Sequence, residues 1–306
     1  MLISSHLAIT VDSCRELVNQ QDVDLGFRCL SWFQLFVLGV VQGISELFPI
    51  SSTAHLRIVP ALLGWPDPGS IFSAIVQMAG LVAVVAYFWR DISKIVGESA
   101  YAIAQKNYKS FSLRLSIGIL VGTLPIILAG LLFKKILNQP NSPFRSLLVI
   151  GIASVVMSLL LALAELRGKH QRDFRRLKLI DGLLVGIGQT FALIPGVSRS
   201  GSTLTTALFL GMERETAARF SFLLGIPTIF LAGIVELHEL HKAGLTSSEW
   251  AMLIFTLAVS SISAFSAIYM LLKYLERNTT WPFVIYRFVM GVFLIVGFFR
   301  GWFVGH

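Results

Sequence analysis

Charge is what this chain has least of. Only 14% of its 306 residues are Asp, Glu, Lys or Arg, while 55% are hydrophobic; a soluble domain carries about a quarter charged residues. An ordinary soluble domain is thereby excluded, and a polytopic membrane protein is left. Acidic residues are the scarcer sign, 17 against 25 Lys and Arg, for a net charge of +8. The basic residues fall in short clusters between apolar runs, the pattern of cytoplasmic loops. No nucleic-acid surface is implied. Cysteine is nearly absent: Cys14 and Cys29 precede the main apolar body and have no metal-ligand companions. They read as two inert thiols, with a disulfide open to them if that arm lies outside the cytoplasm. His170, His238, His241 and His306 show no spacing that names a metal. The first ten residues lack the basic and apolar regions of an export signal, so residues 1–30 read as a peripheral N-terminal arm.

Six stretches are apolar enough to cross a bilayer, which takes roughly 20 helical residues: about 70–89, 112–133, 144–164, 217–236, 248–271 and 283–303. Positive charge is unequal between them. Arg90, Lys94, Lys106, Lys109 and Arg114 mark one connection, the run from Arg167 to Lys178 a second, and Lys273 with Arg277 a third. These three are assigned to the cytoplasm, with the C-terminus outside.

Two segments interrupt the apolar pattern: Gln42 to His55, broken at Pro49, and Ile194 to Thr203, broken at Pro195-Gly196. Proline removes a backbone donor and glycine frees the turn. The first segment precedes a span that begins outside and the second a span that begins inside. Two re-entrant helical hairpins of opposite orientation follow, dividing the chain into repeats 31–164 and 178–303 that together form one catalytic domain. The expected fold is all-α, with six transmembrane helices and two re-entrant hairpins in an inverted-topology repeat.

At membrane depth the polar side chains of these segments must line a protein or water cavity. Arg199 is a permanent cation among hydroxyls, suited to phosphoryl oxygens, and broken helix ends expose amides that hold anions. Glu46, with Gln42 one turn earlier on the same face, can orient a water, take a proton or hold a divalent cation, Mg2+ or Ca2+. His55 follows Ser52 by three residues, so the two share a helical face and the imidazole could move a proton for the hydroxyl or a water. Ser51 or Ser52 could equally cap the returning helix, a task compatible with phosphate contact, and Gly196 supplies the second turn. A phosphate is the natural guest. Arg199 neutralised by Glu46 merely to hold the halves together is the plainer alternative, and Arg57 either adds positive potential or snorkels to the surface.

Gln42-Gly43-Ile44-Ser45-Glu46, then Phe48 to His55, and Pro195-Gly196-Val197-Ser198-Arg199-Ser200-Gly201-Ser202-Thr203 resemble the two motifs of the bacterial undecaprenyl-diphosphate phosphatase, or bacitracin-resistance, family, over residues 31–303. The resemblance implies a multi-pass enzyme of the bacterial plasma (inner) membrane. It would hydrolyse undecaprenyl diphosphate, a substrate reached through membrane lipid, to undecaprenyl phosphate and inorganic phosphate, recycling the carrier of peptidoglycan synthesis. It puts Glu46, Ser52, His55 and Arg199 in the catalytic centre, supported by Gln42, Thr53, Ser198, Ser200 and Thr203, with the site open to the extracytoplasmic side. A homodimer is compatible with it. Gln42 stands where many members have glutamate, which removes one metal ligand or base, Ala54 replaces a frequent glycine, and the N-terminal arm is longer than usual. The rival class is a transporter or flippase of an anionic polyprenyl lipid, since broken helices in inverted repeats also serve alternating access.

Overall fold

The computed structural model describes residues 25–137 and 146–302. Twelve α-helices occur among them: α1 Trp32–Leu47, α2 Ser52–Leu63, α3 Ser70–Val76, α4 Met78–Tyr87, α5 Trp89–Ala104, α6 Phe111–Leu137, α7 Leu147–Arg167, α8 Leu179–Thr190, α9 Arg199–Phe209, α10 Arg214–Lys242, α11 Ser247–Leu275 and α12 Trp281–Phe299. No strand is present among the described residues beyond one isolated bridge, Arg172 with Met212. The six expected spans are borne out as Ser70–Tyr87 (α3 and α4, separated at Gln77), Phe111–Phe133, Leu147–Arg167, Arg214–Lys242, Ser247–Leu275 and Trp281–Phe299. The protein is therefore an all-helical, multi-pass membrane protein.

Helix starts follow capping chemistry. Ser31 forms a capping box with Gln34 at the head of α1, and Thr246 does the same with Glu249 for α11. At 16 and 12 residues, α1 and α8 are apolar but short; at 1.5 Å per residue, α1 is about 24 Å long, less than a ~30 Å hydrocarbon core. Each is followed by a break and a second short helix. Leu179 follows Trp32, and Arg199 follows Ser52, by the same 147 residues.

Packing repeats this correspondence. α11 lies along α1, α6 along α8, and α7 along α12. Small residues let the backbones approach: a Cβ on Gly43 would come within 2.6 Å of Ser263 Cβ on α11, and one on Gly291 within 2.7 Å of Val155 Cγ2 on α7.

Three expectations need correction. Residues 25–30, assigned to the peripheral arm, are not peripheral: Leu25, Phe27 and Leu30 are buried with Leu35, Leu38, Phe72 and Leu253, and Arg28 pairs with Glu249 on α11 at 2.6 Å. Residues 1–24, including Cys14, lie outside the described residues. Cys29 is disulfide-bonded rather than an inert thiol. The expected loop 90–114 contains α5, an amphipathic helix in which Trp89, Val96 and Ile103, seven residues apart, are exposed while Ser99 and Ala102 are buried. The apolar residues of α5 recur on helical faces rather than in a run, so hydropathy alone shows only the charge around them.

Candidate active site

Both breaks are built alike. Chain continuing from α1 past Phe48 turns through Ser51 at φ 75°, and chain continuing from α8 turns through Gly196 at φ 92° and Ser198 at φ 73°. Positive φ is unusual for a non-glycine residue and concentrates at functional turns. In each case the strained serine is the N-cap of the returning helix: Ser51 Oγ accepts from Ala54 N (3.4 Å) and Ser198 Oγ from Gly201 N (3.0 Å). Ser52 and Arg199 are consequently the first residues of α2 and α9. Two helix N-termini, the positive ends of their dipoles, bring these side chains to one place.

Glu46 joins them. Its Oε2 accepts from Ser52 Oγ at 2.7 Å and from Gln42 Nε2 at 3.1 Å, and its Oε1 accepts from Arg199 Nη2 at 3.1 Å. Residues 153 positions apart thus form a buried pair, with side chains 4% and 11% exposed for Glu46 and Arg199. Three atoms of this cluster are buried without a partner: Arg199 Nε, Arg199 Nη1 and Gln42 Oε1. Two free donors on a buried cation cost free energy unless an anion or water takes them. Glycines frame the pair. A Cβ on Gly80 of α4 would lie 2.8 Å from Glu46 Cγ, and one on Gly225 of α10 would overlap the Arg199 guanidinium.

The remaining expected residues support this centre. Ser200 Oγ donates to the carbonyls of Glu46 and Phe48, both at 3.1 Å, and lies 3.2 Å from Ser198 Oγ. Thr203, fully buried, donates to the Arg199 carbonyl at 2.8 Å and hydrogen-bonds Ser221. Thr53 Oγ1 lies 3.2 Å from Ser51 Oγ. The hydroxyls of Ser200 and Thr203 are engaged by protein, tying the second break to the first and holding the base of Arg199.

His55 is in the site but does not pair with Ser52. Its Nδ1 lies 2.7 Å from the Ser51 carbonyl oxygen, which can only accept, so Nδ1 carries a proton. Its Nε2 lies 2.5 Å from Tyr286 Oη on α12, and the two rings stack with centroids 5.6 Å apart. Ser52 and His55 stand three residues apart in α2, and Glu46 captures the hydroxyl instead. Arg57 pairs with Asp67 at 2.8 Å.

Arg287, next to Tyr286 on α12, was not identified from the sequence. It is fully buried, and its guanidinium donates to the carbonyl oxygens of Pro49 (3.0 Å), Gly196 (2.8 Å) and Val197 (2.9 Å). One side chain thus staples both breaks together by satisfying carbonyls that the turns leave unpaired. The signal was available: an arginine inside an apolar span marks a functional or structural site by default.

Among the described residues no three His, Cys, Asp or Glu side chains are grouped to hold a metal. Glu46 is the one carboxylate whose bonds join these motif residues, and both its oxygens are engaged. The hard oxygen donors at this point are Glu46 and the unpartnered Gln42 Oε1, the donor type that Mg2+ and Ca2+ prefer. A separate cavity of about 420 Å3, lined by residues including Lys94, Glu98, Arg175 and Arg219, includes none of the motif residues.

These elements define a polytopic helical membrane protein with a buried Glu–Ser–Arg cluster where two helix breaks meet. Residues 35–293 match the family described as bacitracin resistance protein BacA. The chain is 54% identical over 262 residues to undecaprenyl-diphosphatase 2 of Mesorhizobium japonicum, covering 86% of this chain and 99% of that protein. It is 51% identical to an undecaprenyl-diphosphatase of Trichormus variabilis (88% of this chain, 85% of that one) and 50% identical to one of Gloeobacter violaceus (86% and 90%). The chain belongs to the BacA family.

Proposed function

We infer that this protein hydrolyses undecaprenyl diphosphate to undecaprenyl phosphate and inorganic phosphate. The observation that carries the reading is the meeting of Glu46, Ser52 and Arg199 at two helix N-termini, with two buried guanidinium donors still free. The substrate class agrees with the relatives' names. Arg199 and the helix-end amides receive the terminal phosphoryl oxygens, where charge is offset during transfer. Glu46 polarises the attacking hydroxyl, which is Ser52 or a water in its place. A water attack cleaves the anhydride bond and releases one proton with the two phosphates; a Ser52 attack forms a phosphoserine that a water then opens, with the same balance. His55 exchanges that proton through Nε2. A divalent cation, Mg2+ or Ca2+, would arrive on the diphosphate and be held by Glu46 and Gln42 Oε1, where it would supply further charge neutralisation.

The two broken-helix units are read as re-entrant hairpins of an inverted repeat. The common 147-residue offset and the matched packing of α11 on α1 and α6 on α8 support this. The unequal loop charges support the reading in which the first hairpin, and with it the site, faces the extracytoplasmic side of the plasma membrane. An oxidised Cys29 just before α1 fits that side. The polyprenyl tail stays among membrane lipids, and pairing into a homodimer is compatible with the exposed spans.

Phosphate release from polyprenyl diphosphate by purified protein in detergent tests the reading. Turnover without a membrane compartment, lost in Arg199→Ala, is expected. Absence of release, with transport of polyprenyl lipid in vesicles, would establish the transporter or flippase reading in its place.

A further inference from the structure

The His55 geometry leaves one partner without a role. In a hydrolytic site, a histidine held through Nδ1–H presents Nε2 to the oxygen with which it exchanges a proton. Here Nδ1 is held by the Ser51 carbonyl, and Nε2 faces the phenol of Tyr286 rather than Ser52. The phenol is fixed by more than this bond. Its ring stacks on the imidazole with an interplanar angle of 10°, and the next residue, Arg287, locks α12 to both breaks through three carbonyls. His55 is 8% exposed, whereas Tyr286 is 45% exposed. The phenol therefore bridges the buried imidazole and the protein surface, from which a lipid headgroup has to arrive. Tyr286 lies in neither motif and some 230 residues from His55.

The geometry points to Tyr286 as a positioning residue of the reaction, acting through His55. This rests on the phosphatase reading. The phenol donates to His55 Nε2, fixes the ring so that this basic nitrogen faces the rim of the site, and yields that hydrogen bond to the incoming substrate oxygen. The proton on that oxygen then has a vacant, aligned acceptor. Without the hydroxyl, Nε2 has no fixed partner and the ring is free to turn about its Nδ1–H bond to Ser51.

The test is Tyr286→Phe in the full chain, which keeps the stacked ring and removes only the hydroxyl. Turnover of polyprenyl diphosphate in detergent is compared for wild type, Tyr286→Phe, His55→Ala and the double variant. Wild-type phosphate release is checked first; its failure removes the phosphatase reading and leaves the His55–Tyr286 bond untouched. Given release, kcat of Tyr286→Phe is expected to fall about 10- to 100-fold, the usual cost of removing an orienting partner, with KM changed less than about threefold. The same substitution in the His55→Ala background is expected to cost under twofold, because the hydroxyl has nothing left to orient. Wild-type kcat in Tyr286→Phe, an equal loss in both backgrounds, or a change confined to KM would each overturn the proposal. Labelled-histidine 15N spectra give a readout independent of activity. Wild type should show His55 protonated at Nδ1 with Nε2 accepting a hydrogen bond, and Tyr286→Phe a shifted Nε2 resonance where that bond is lost; identical spectra would count against the role.

Discussion

Replacing Arg287 by Met tests whether one side chain holds the two breaks together. The substitution keeps an unbranched apolar stem but removes three hydrogen bonds, to Pro49, Gly196 and Val197, and leaves those carbonyls unpaired inside the protein. A hydrogen bond to a charged group contributes about 1.5–3 kcal/mol. The three share one guanidinium and are not additive, and the variant no longer bears the desolvation of a buried cation. A net loss of about 3–5 kcal/mol is expected, as when one member of a buried charged network is removed. At roughly 2 °C per kcal/mol for a chain of this size, the apparent melting temperature in detergent should drop by about 5–10 °C. Phosphate release should fall further than stability alone explains, because the breaks carry Ser52 and Arg199. Arg287→Lys should be intermediate, since an ammonium is a point donor and lacks the planar fork that reaches both breaks at once. A Met variant that melts within 2 °C of wild type and turns over normally would refute the staple.

Other expectations follow from the same geometry. Ser52→Ala should lose about 10³-fold in turnover, and acid quenching of the wild type during turnover decides between attack and positioning by whether phosphoserine is recovered; full activity in the variant would remove Ser52 from the reaction. Gly225→Ala places a methyl where the Arg199 guanidinium lies, and a displacement of about 1 Å can cost about 10²-fold; unchanged kcat would mean that α10 does not fix Arg199. EDTA should lower turnover, with Mg2+ or Ca2+ restoring it, and indifference to chelation would exclude the cation from Glu46 and Gln42.

The spans were legible because bilayer thickness demands long apolar runs, which Leu147–Arg167 and Ser247–Leu275 display without interruption. The pairing of Glu46 with Arg199 was legible for the converse reason: a lone cation and a lone carboxylate at membrane depth have few other ways to be neutralised. Spacing was a weaker guide. Ser52 and His55 share a face, yet the hydroxyl goes to Glu46 on α1 and the imidazole nitrogen to Tyr286 on α12, more than 200 residues away. Arg287 and Tyr286 were hidden by their surroundings, since mean hydropathy over Trp281–Phe299 stays high with one arginine inside it. The amphipathic α5 was read as a charged loop because its exposed apolar residues recur every seventh position.

Ser52 and Arg199 occupy the same register position in the two broken-helix units, 147 residues apart. Each opens its helix, and each reaches the one carboxylate at Glu46. A chain severed in the connection between α7 and α8 would leave the hydroxyl and the acid on one fragment and the cation on the other. Neither fragment could assemble this centre, and two copies of either would duplicate one half of it while lacking the other. Divergence at matched positions, Ser52 against Arg199 and Glu46 against Leu193, is thus what makes the two units obligate partners.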